Sequence, residues 1–180
     1  INARVAEDLP KDKDIVLIAS GSMGFGDLRS VVLNLLSQIP NVYFVVVCGN
    51  NKKLEEDLKT INNPNLIVRG FIKNMNEYIK SSKIVVTKPG GLTTTEVMNK
   101  PLIHINPIPG VEDYNASFFA NNNMSLRVNN ISDLANAVGR LLLDVNLRNE
   151  IIQNQSKYIN KNSATDLVRY VMENYGSEQL

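Results

Sequence analysis

The sequence predicts an α/β domain built on a Rossmann-like, doubly wound parallel sheet. Three observations predict it. Short apolar runs rich in β-branched residues alternate with segments of helical period about ten residues long, the pattern of βαβ units. The runs are apolar at nearly every position, as strands are when helices cover both faces of a sheet. The segments that follow the strands are rich in Gly, Pro, Asn and Thr, and in this architecture ligands sit outside the C-terminal strand ends.

The elements follow in order. Residues 15–19, IVLIA, read as a buried strand and lead into the glycine-rich GSMGFGD. LRSVVLNLLSQI has helical spacing and stops before Pro40, because the residue before a proline is driven out of the α region. VYFVVVC, 42–48, reads as a central strand, with Tyr43, Phe44 and the valines in the core. A helix is expected over 53–60, a strand over LIVRGF ending at Gly70, a short helix over MNEYIKSS and a strand over KIVVT. LTTTEVMN begins a helix at about Leu92, and LIHI is the next strand. A helix over 113–122 and a short strand over 126–128 follow; 131–143, 146–159 and 164–175 read as helix. The domain organisation expected is an approach segment over 1–14, the Rossmann-like domain over 15–143 and C-terminal helices over 144–180.

Composition excludes several classes. The 180 residues suffice for one well-packed domain. With 19 basic against 18 acidic residues, no charge excess points to nucleic acid. The single cysteine, Cys48, excludes an intramolecular disulfide and disfavours a cysteine metal site. The longest apolar runs fall far short of the ~20 residues of a spanning helix, and the N-terminus lacks a signal-peptide pattern. The first residue is Ile, so a piece of a longer protein is expected; tag removal or processing produces the same start.

The strand-end rule selects four loops: 20–27, 49–51, 88–94 and 106–112. In TKPGGLTTTE, Pro89 fixes the chain direction, and Gly90 and Gly91 permit positive φ and close approach of a ligand. The helix start exposes N–H groups and the positive dipole end, and Thr93 and Thr94 add hydroxyls: an anion site suited to phosphate. Glu96, about one turn on, is placed to accept two hydrogen bonds from a ribose diol. An ordinary strand–turn–helix carries the same residues. GSMGFGD is neither a Walker A loop nor G-x-G-x-x-G, which argues against an ATPase and an NAD enzyme; Gly21, Gly24 and Gly26 suit either a close ligand or a plain turn. GNNK reads as a loop and helix start with its backbone available near a base. In NPIPGVEDYNA, Glu112 and Asp113 either complement a helix dipole or accept sugar hydroxyls. His104, alone in an apolar strand, reads as a core residue rather than a catalytic one.

GSMG, CGNN, GFIKNMNEYIKSSKIVVTKPGGLTTTE and PLIHINPIPGVEDYN occur in that order. Together they resemble the C-terminal half of the family of monogalactosyldiacylglycerol synthase and the processive diacylglycerol glucosyltransferases. More distantly, they are similar to the UDP-GlcNAc transferase that completes lipid II. The resemblance covers about residues 3–143. It implies one half of a GT-B fold, with a UDP-sugar donor, no other cofactor and no obligatory metal. It places uracil on the backbone around Phe71 and Ile72, ribose on Glu96, and diphosphate on Gly90, Gly91, Thr93, Thr94 and the helix start. Gly21, Ser22 and Gly24 close from the other side, and Glu112 approaches the donor sugar. Asn115 belongs to the same pattern as a structural hydrogen bonder. The family commonly has Gly-Gln-Glu after NPIP, where this chain has Gly110, Val111 and Glu112, so an amide near the sugar is missing. Ser20 stands where a further glycine is common.

The resemblance also implies a lipid acceptor, such as diacylglycerol, and a catalytic base carried by a domain preceding this one. The full-length protein is expected to be cytoplasmic and peripheral at the inner face of the cell membrane, touching the membrane only as the whole protein. Without the other half, an apolar patch is expected near residues 23–25. The rival reading is a nucleotide-sugar-binding subunit, inactive without a partner chain. A nucleotide-sugar 2-epimerase needs a histidine and carboxylates in the cleft, and the only histidine here lies in a strand.

Overall fold

The computed structural model describes residues 6, 8–19, 27–105, 109–159 and 162–175. Six strands form one parallel sheet: β1 (Ile15–Ala19), β2 (Tyr43–Val47), β3 (Leu66–Arg69), β4 (Ile84–Thr87), β5 (Leu102–Ile105) and β6 (Leu126–Val128). The helices among the described residues are α1 (Leu28–Gln38), α2 (Lys52–Lys59), α3 (Met75–Ser81), α4 (Gly91–Glu96), α5 (Val111–Asn121), α6 (Leu134–Leu143), α7 (Val145–Ser156) and α8 (Ser163–Tyr175). The strand order is β3-β2-β1-β4-β5-β6, the doubly wound order expected from the sequence. β1 pairs with both neighbours in register, Leu17 lying opposite Val45 on one side and Val85 on the other.

The continuous apolar runs have their cause in the two layers. Val16, Ile18, Phe44, Val46, Ile84, Val86, Ile103 and Ile105 face one core, closed by α1, α6, Leu58 of α2 and Ile151 of α7. Their neighbours Ile15, Leu17, Val45, Val47, Val85 and Leu102 face the other, closed by Tyr78 and Ile79 of α3, Val97, and Ala6 and Leu9 of the segment before β1. Successive side chains of a strand point to opposite faces, so a strand buried twice is apolar at nearly every position; the buried exceptions, Thr87 and His104, have polar partners.

Most elements begin and end within a residue or two of the expected positions. Three helix ends differ more. α4 stops at Glu96 instead of running to 99, because Asn99 turns the chain at φ 77 and donates its N–H to Gln155 Oε1 at 2.7 Å. Asparagine tolerates this left-handed conformation better than most residues. The segment expected as one helix from 131 begins as a 3₁₀ turn, Ile131–Asp133, before α6. α7 ends at Ser156 rather than 159.

Gln155 fixes the back of the domain. It is fully buried, and its Nε2 donates to the carbonyls of Lys100, at 3.0 Å, and Met124, at 2.8 Å. One amide on α7 thereby satisfies three backbone groups in the loops that enter β5 and β6. Removing it leaves the buried Met124 carbonyl without this partner, at about 1–3 kcal/mol for an unsatisfied group, and strips two part-buried bonds besides. Gln155→Ala is expected to lower the unfolding free energy by roughly 3 kcal/mol in urea denaturation. Tyr158→Phe, which removes an exposed hydroxyl bound to Asn122 Oδ1, is expected to cost less than about 1 kcal/mol.

Candidate functional site

A cavity of about 420 Å³ opens over the C-terminal ends of the central strands, with Ala19 of β1, Val47 of β2 and Thr87 of β4 at its floor. Its walls are loops and the helices they lead into: Gly49 and Asn50 after β2, Phe71, Ile72 and Met75 after β3, Lys88, Gly90, Thr93 and Glu96 after β4, and Glu112 after β5. Local chemistry builds each wall. Gly49 turns the chain at φ 57, and Asn51 caps α2 by accepting the Leu54 N–H at 3.1 Å. Gly110 stands at φ 105, ψ −127, reachable only without a side chain, and starts α5 beside the cavity. Asn115 donates from Nδ2 to the Pro89 carbonyl at 3.0 Å, which ties α5 to the β4–α4 loop.

Phe71, Ile72, Gly90, Thr93, Glu96 and Glu112, all singled out from the sequence, line this one cavity. Gly91 opens α4 without lining it. Neither glycine takes a positive φ: Gly90 stands at φ −70, and of the described glycines only Gly49 and Gly110 do so. Space is what they leave, since a Cβ on either meets nothing within 4 Å. The first intrahelical bond of α4 runs from Thr94 N–H to the Gly90 carbonyl, so the N–H groups of 91–93 lie ahead of it.

Thr94 differs from expectation. Its side chain is 2% exposed, and its Oγ1 lies 3.4 Å from His104 Nε2 rather than in the cavity. Consecutive helical residues point about 100° apart, so with Thr93 on the cavity Thr94 faces the sheet. Asp113 is likewise engaged, accepting from Arg127 Nη2 at 2.7 Å, and does not line the cavity. Gly21, Ser22, Gly24 and the 23–25 patch lie outside the described residues.

His104 is a core residue. It is fully buried, with Ser125 Oγ 3.2 Å from Nδ1 and the Phe119 ring edge-on at 5.3 Å. Burial pushes its pKa down to about 4. Cys48 is buried too, and burial pushes its thiol up to about 11, so it is inert at neutral pH.

The sequence assigns no role to Lys88, yet among the described residues lining the cavity it is the one cation, on the same cavity as Glu96 and Glu112. Its signal was its place, first after β4 and ahead of PGG. Asn50 and Met75 also line the wall; Met75 belongs to a helix that the strand-end rule does not reach.

A crevice where the winding of a parallel sheet reverses, walled by loops rather than by strands, defines a Rossmann-like ligand-binding domain. The chain belongs to the glycosyltransferase family 28 C-terminal domain family, whose model matches residues 15–171. It is 35% identical over 120 residues to the processive diacylglycerol beta-glucosyltransferase of Staphylococcus aureus, an alignment covering 64% of this chain and 31% of that protein. The crystal structure of Acinetobacter baumannii MurG superimposes with a TM-score of 0.73 at 19% identity, covering 92% of this chain and 51% of that one. The spinosyn rhamnosyltransferase SpnG, complexed with thymidine diphosphate, gives a TM-score of 0.68 at 15% identity over 91% of this chain and 46% of that one. The chain thus spans about a third of the curated relative and about half of each solved structure.

The histidine makes a testable contribution to stability. Its pKa falls from 6.5 to about 4 on folding, so between those values the unfolded chain binds the extra proton. Stability is then fully present above pH 6.5 and is lost as pH falls towards 4, by up to about 3 kcal/mol. His104→Asn is expected to flatten this part of the urea-midpoint profile between pH 6.5 and 4. An unchanged slope would mean that His104 titrates normally.

Proposed function

We propose that this chain is the UDP-sugar-binding half of a glycosyltransferase that moves a hexosyl group from a UDP-sugar to a lipid acceptor such as diacylglycerol. The observation that carries the reading is the set of groups on the one cavity. An exposed aromatic ring and an apolar side chain, Phe71 and Ile72, stand on the loop after β3. Lys88, Gly90, Thr93 and Glu96 stand on the loop and helix after β4. Those strands are three places apart in the sheet, roughly 14 Å at ~4.8 Å per strand, the order of an extended nucleoside diphosphate.

In this reading Phe71 and Ile72 hold the uracil and Glu96 accepts the ribose hydroxyls. Thr93, the N–H groups of 91–93 and the Lys88 ammonium hold the diphosphate, and Glu112 faces the hexose. Gly21, Ser22 and Gly24 are proposed to close over the diphosphate. Transfer breaks the bond between the anomeric carbon and the diphosphate oxygen, and the electron pair leaves with UDP. Positive charge grows on the sugar and negative charge on the leaving group. Donors fixed before the reaction stabilise that charge without reorganising. The acceptor lipid, the base for its hydroxyl and the contact with a cytoplasmic membrane face belong to the other half of the whole protein. His104 is no candidate for that base, since it is sealed in the core.

Calorimetry with UDP, UMP and uridine, run in EDTA, tests the donor site. UDP is expected to bind at least about tenfold tighter than uridine, the worth of one charge-assisted hydrogen bond. UDP binding no better than uridine overturns the diphosphate assignment. Glu96→Ala is expected to weaken UDP by roughly 1–3 kcal/mol. With 2′,3′-dideoxy-UDP the same substitution is expected to change little; equal losses for the two ligands would remove the ribose role.

A further inference from the structure

A cluster outside the cavity holds both ends of one of its walls. Arg69 is the last residue of β3 and Tyr78 lies in α3; between them runs the lip 70–74, which carries Phe71 and Ile72. Both residues bond to the same oxygen. Asp8 Oδ2 accepts from Arg69 Nε at 3.0 Å, from Arg69 Nη2 at 2.9 Å and from the Tyr78 hydroxyl at 2.7 Å. The Tyr78 hydroxyl and the Arg69 guanidinium hold the Asp8 carboxyl below the usual carboxylate range, so it is charged at neutral pH.

Asp8 is itself anchored. Ala6 and Leu9 beside it are buried in the core layer that includes Tyr78, and the Leu9 N–H donates to the Ala6 carbonyl at 3.2 Å. Tyr78 is 3% exposed, so its ring is fixed by packing. The middle of the lip is less enclosed: Ile72 packs in part against that same core layer, but Phe71 is 65% exposed, and 71–74 forms neither helix nor strand. At its start, the Glu55 carboxylate sits where a Cβ on Gly70 would stand, so the backbone there is closed in from the α2 side. An exposed loop that must meet a ligand loses freedom on binding, unless its ends are already held.

We propose that Asp8 is a positioning residue for the nucleobase: it clamps both ends of the 70–74 lip, so that Phe71 and Ile72 are presented to the base in a fixed arrangement. This rests on the donor-site reading above. The segment before β1 thereby acts on the site without touching the ligand. The clamp acts only on the nucleoside end, because the diphosphate groups stand on the β4–α4 loop.

The test combines calorimetry and amide hydrogen exchange on this chain, unmutated and as Asp8→Ala and Tyr78→Phe. Asp8→Ala is expected to weaken uridine and UDP equally, by about tenfold, leaving their ratio unchanged. Tyr78→Phe, which deletes one oxygen, is expected to weaken both by about threefold. The double variant is expected to be no worse than Asp8→Ala, since both act through one oxygen. Without nucleotide, amides of 70–74 are expected to exchange faster in Asp8→Ala while those of β1 and β4 do not change. If Asp8→Ala does not fold, Tyr78→Phe carries the test by the same readouts. Faster exchange with unchanged uridine affinity, or a loss confined to UDP, overturns the positioning role and leaves the donor site standing. Failure of the unmutated chain to bind uridine or UDP overturns the donor reading and this inference with it.

Discussion

β1 and β4 lie side by side at the middle of the sheet, and the helices that follow them, α1 and α4, lie on opposite faces. Right-handed crossovers require this: α1 returns over one face to start β2, and α4 crosses to the other to start β5. α1 and α4 thus lie on either side of the paired strand ends, and among the described residues a gap opens there. The cavity is that gap, and its floor residues Ala19 and Thr87 are register partners at the paired ends of the two strands. Thr87 even closes its own floor, donating from Oγ1 to the Ala19 carbonyl at 3.2 Å. The opening therefore follows from topology, and the loops supply only its chemistry.

That chemistry is unevenly braced. The β4–α4 loop is held by Asn115 from α5, and α4 by the buried Thr94 and His104 beneath it. The β3–α3 lip is held by Asp8 from outside the βαβ repeat. Two carboxylates, Glu96 and Glu112, face the cavity with one ammonium, Lys88. Such a site suits a ligand that carries negative charge at one place and several hydroxyls at others. The cation and the helix start answer the first and the carboxylates answer the second.

The strands were legible because burial on both faces leaves them almost wholly apolar, and the pattern needs no partner to be read. LIHI and the strand 126–128 match residue for residue. Helix ends were less legible, because contacts far away in sequence set them: α4 ends where Gln155, 56 residues on, takes the Asn99 N–H. In the site, TKPGGLTTTE located the loop but not which threonine faces the cavity. That choice depends on His104, which occupies the space beneath Thr94. The Asp8–Arg69 pair spans 61 residues and has no local signature at all. Lys88 was visible, but only the fold brings it onto one cavity with two carboxylates from different helices.

The central claim is that one nucleoside diphosphate lies along this crevice, from the β3–α3 lip to the start of α4. Amide chemical-shift mapping of the ¹⁵N-labelled chain, titrated with UDP, tests it most directly. The account predicts saturable shifts at Gly49, Phe71, Ile72, Gly90, Gly91 and Thr93, with α7 and α8 unmoved. Shifts scattered over the surface, or confined to one of the two loops, would contradict it.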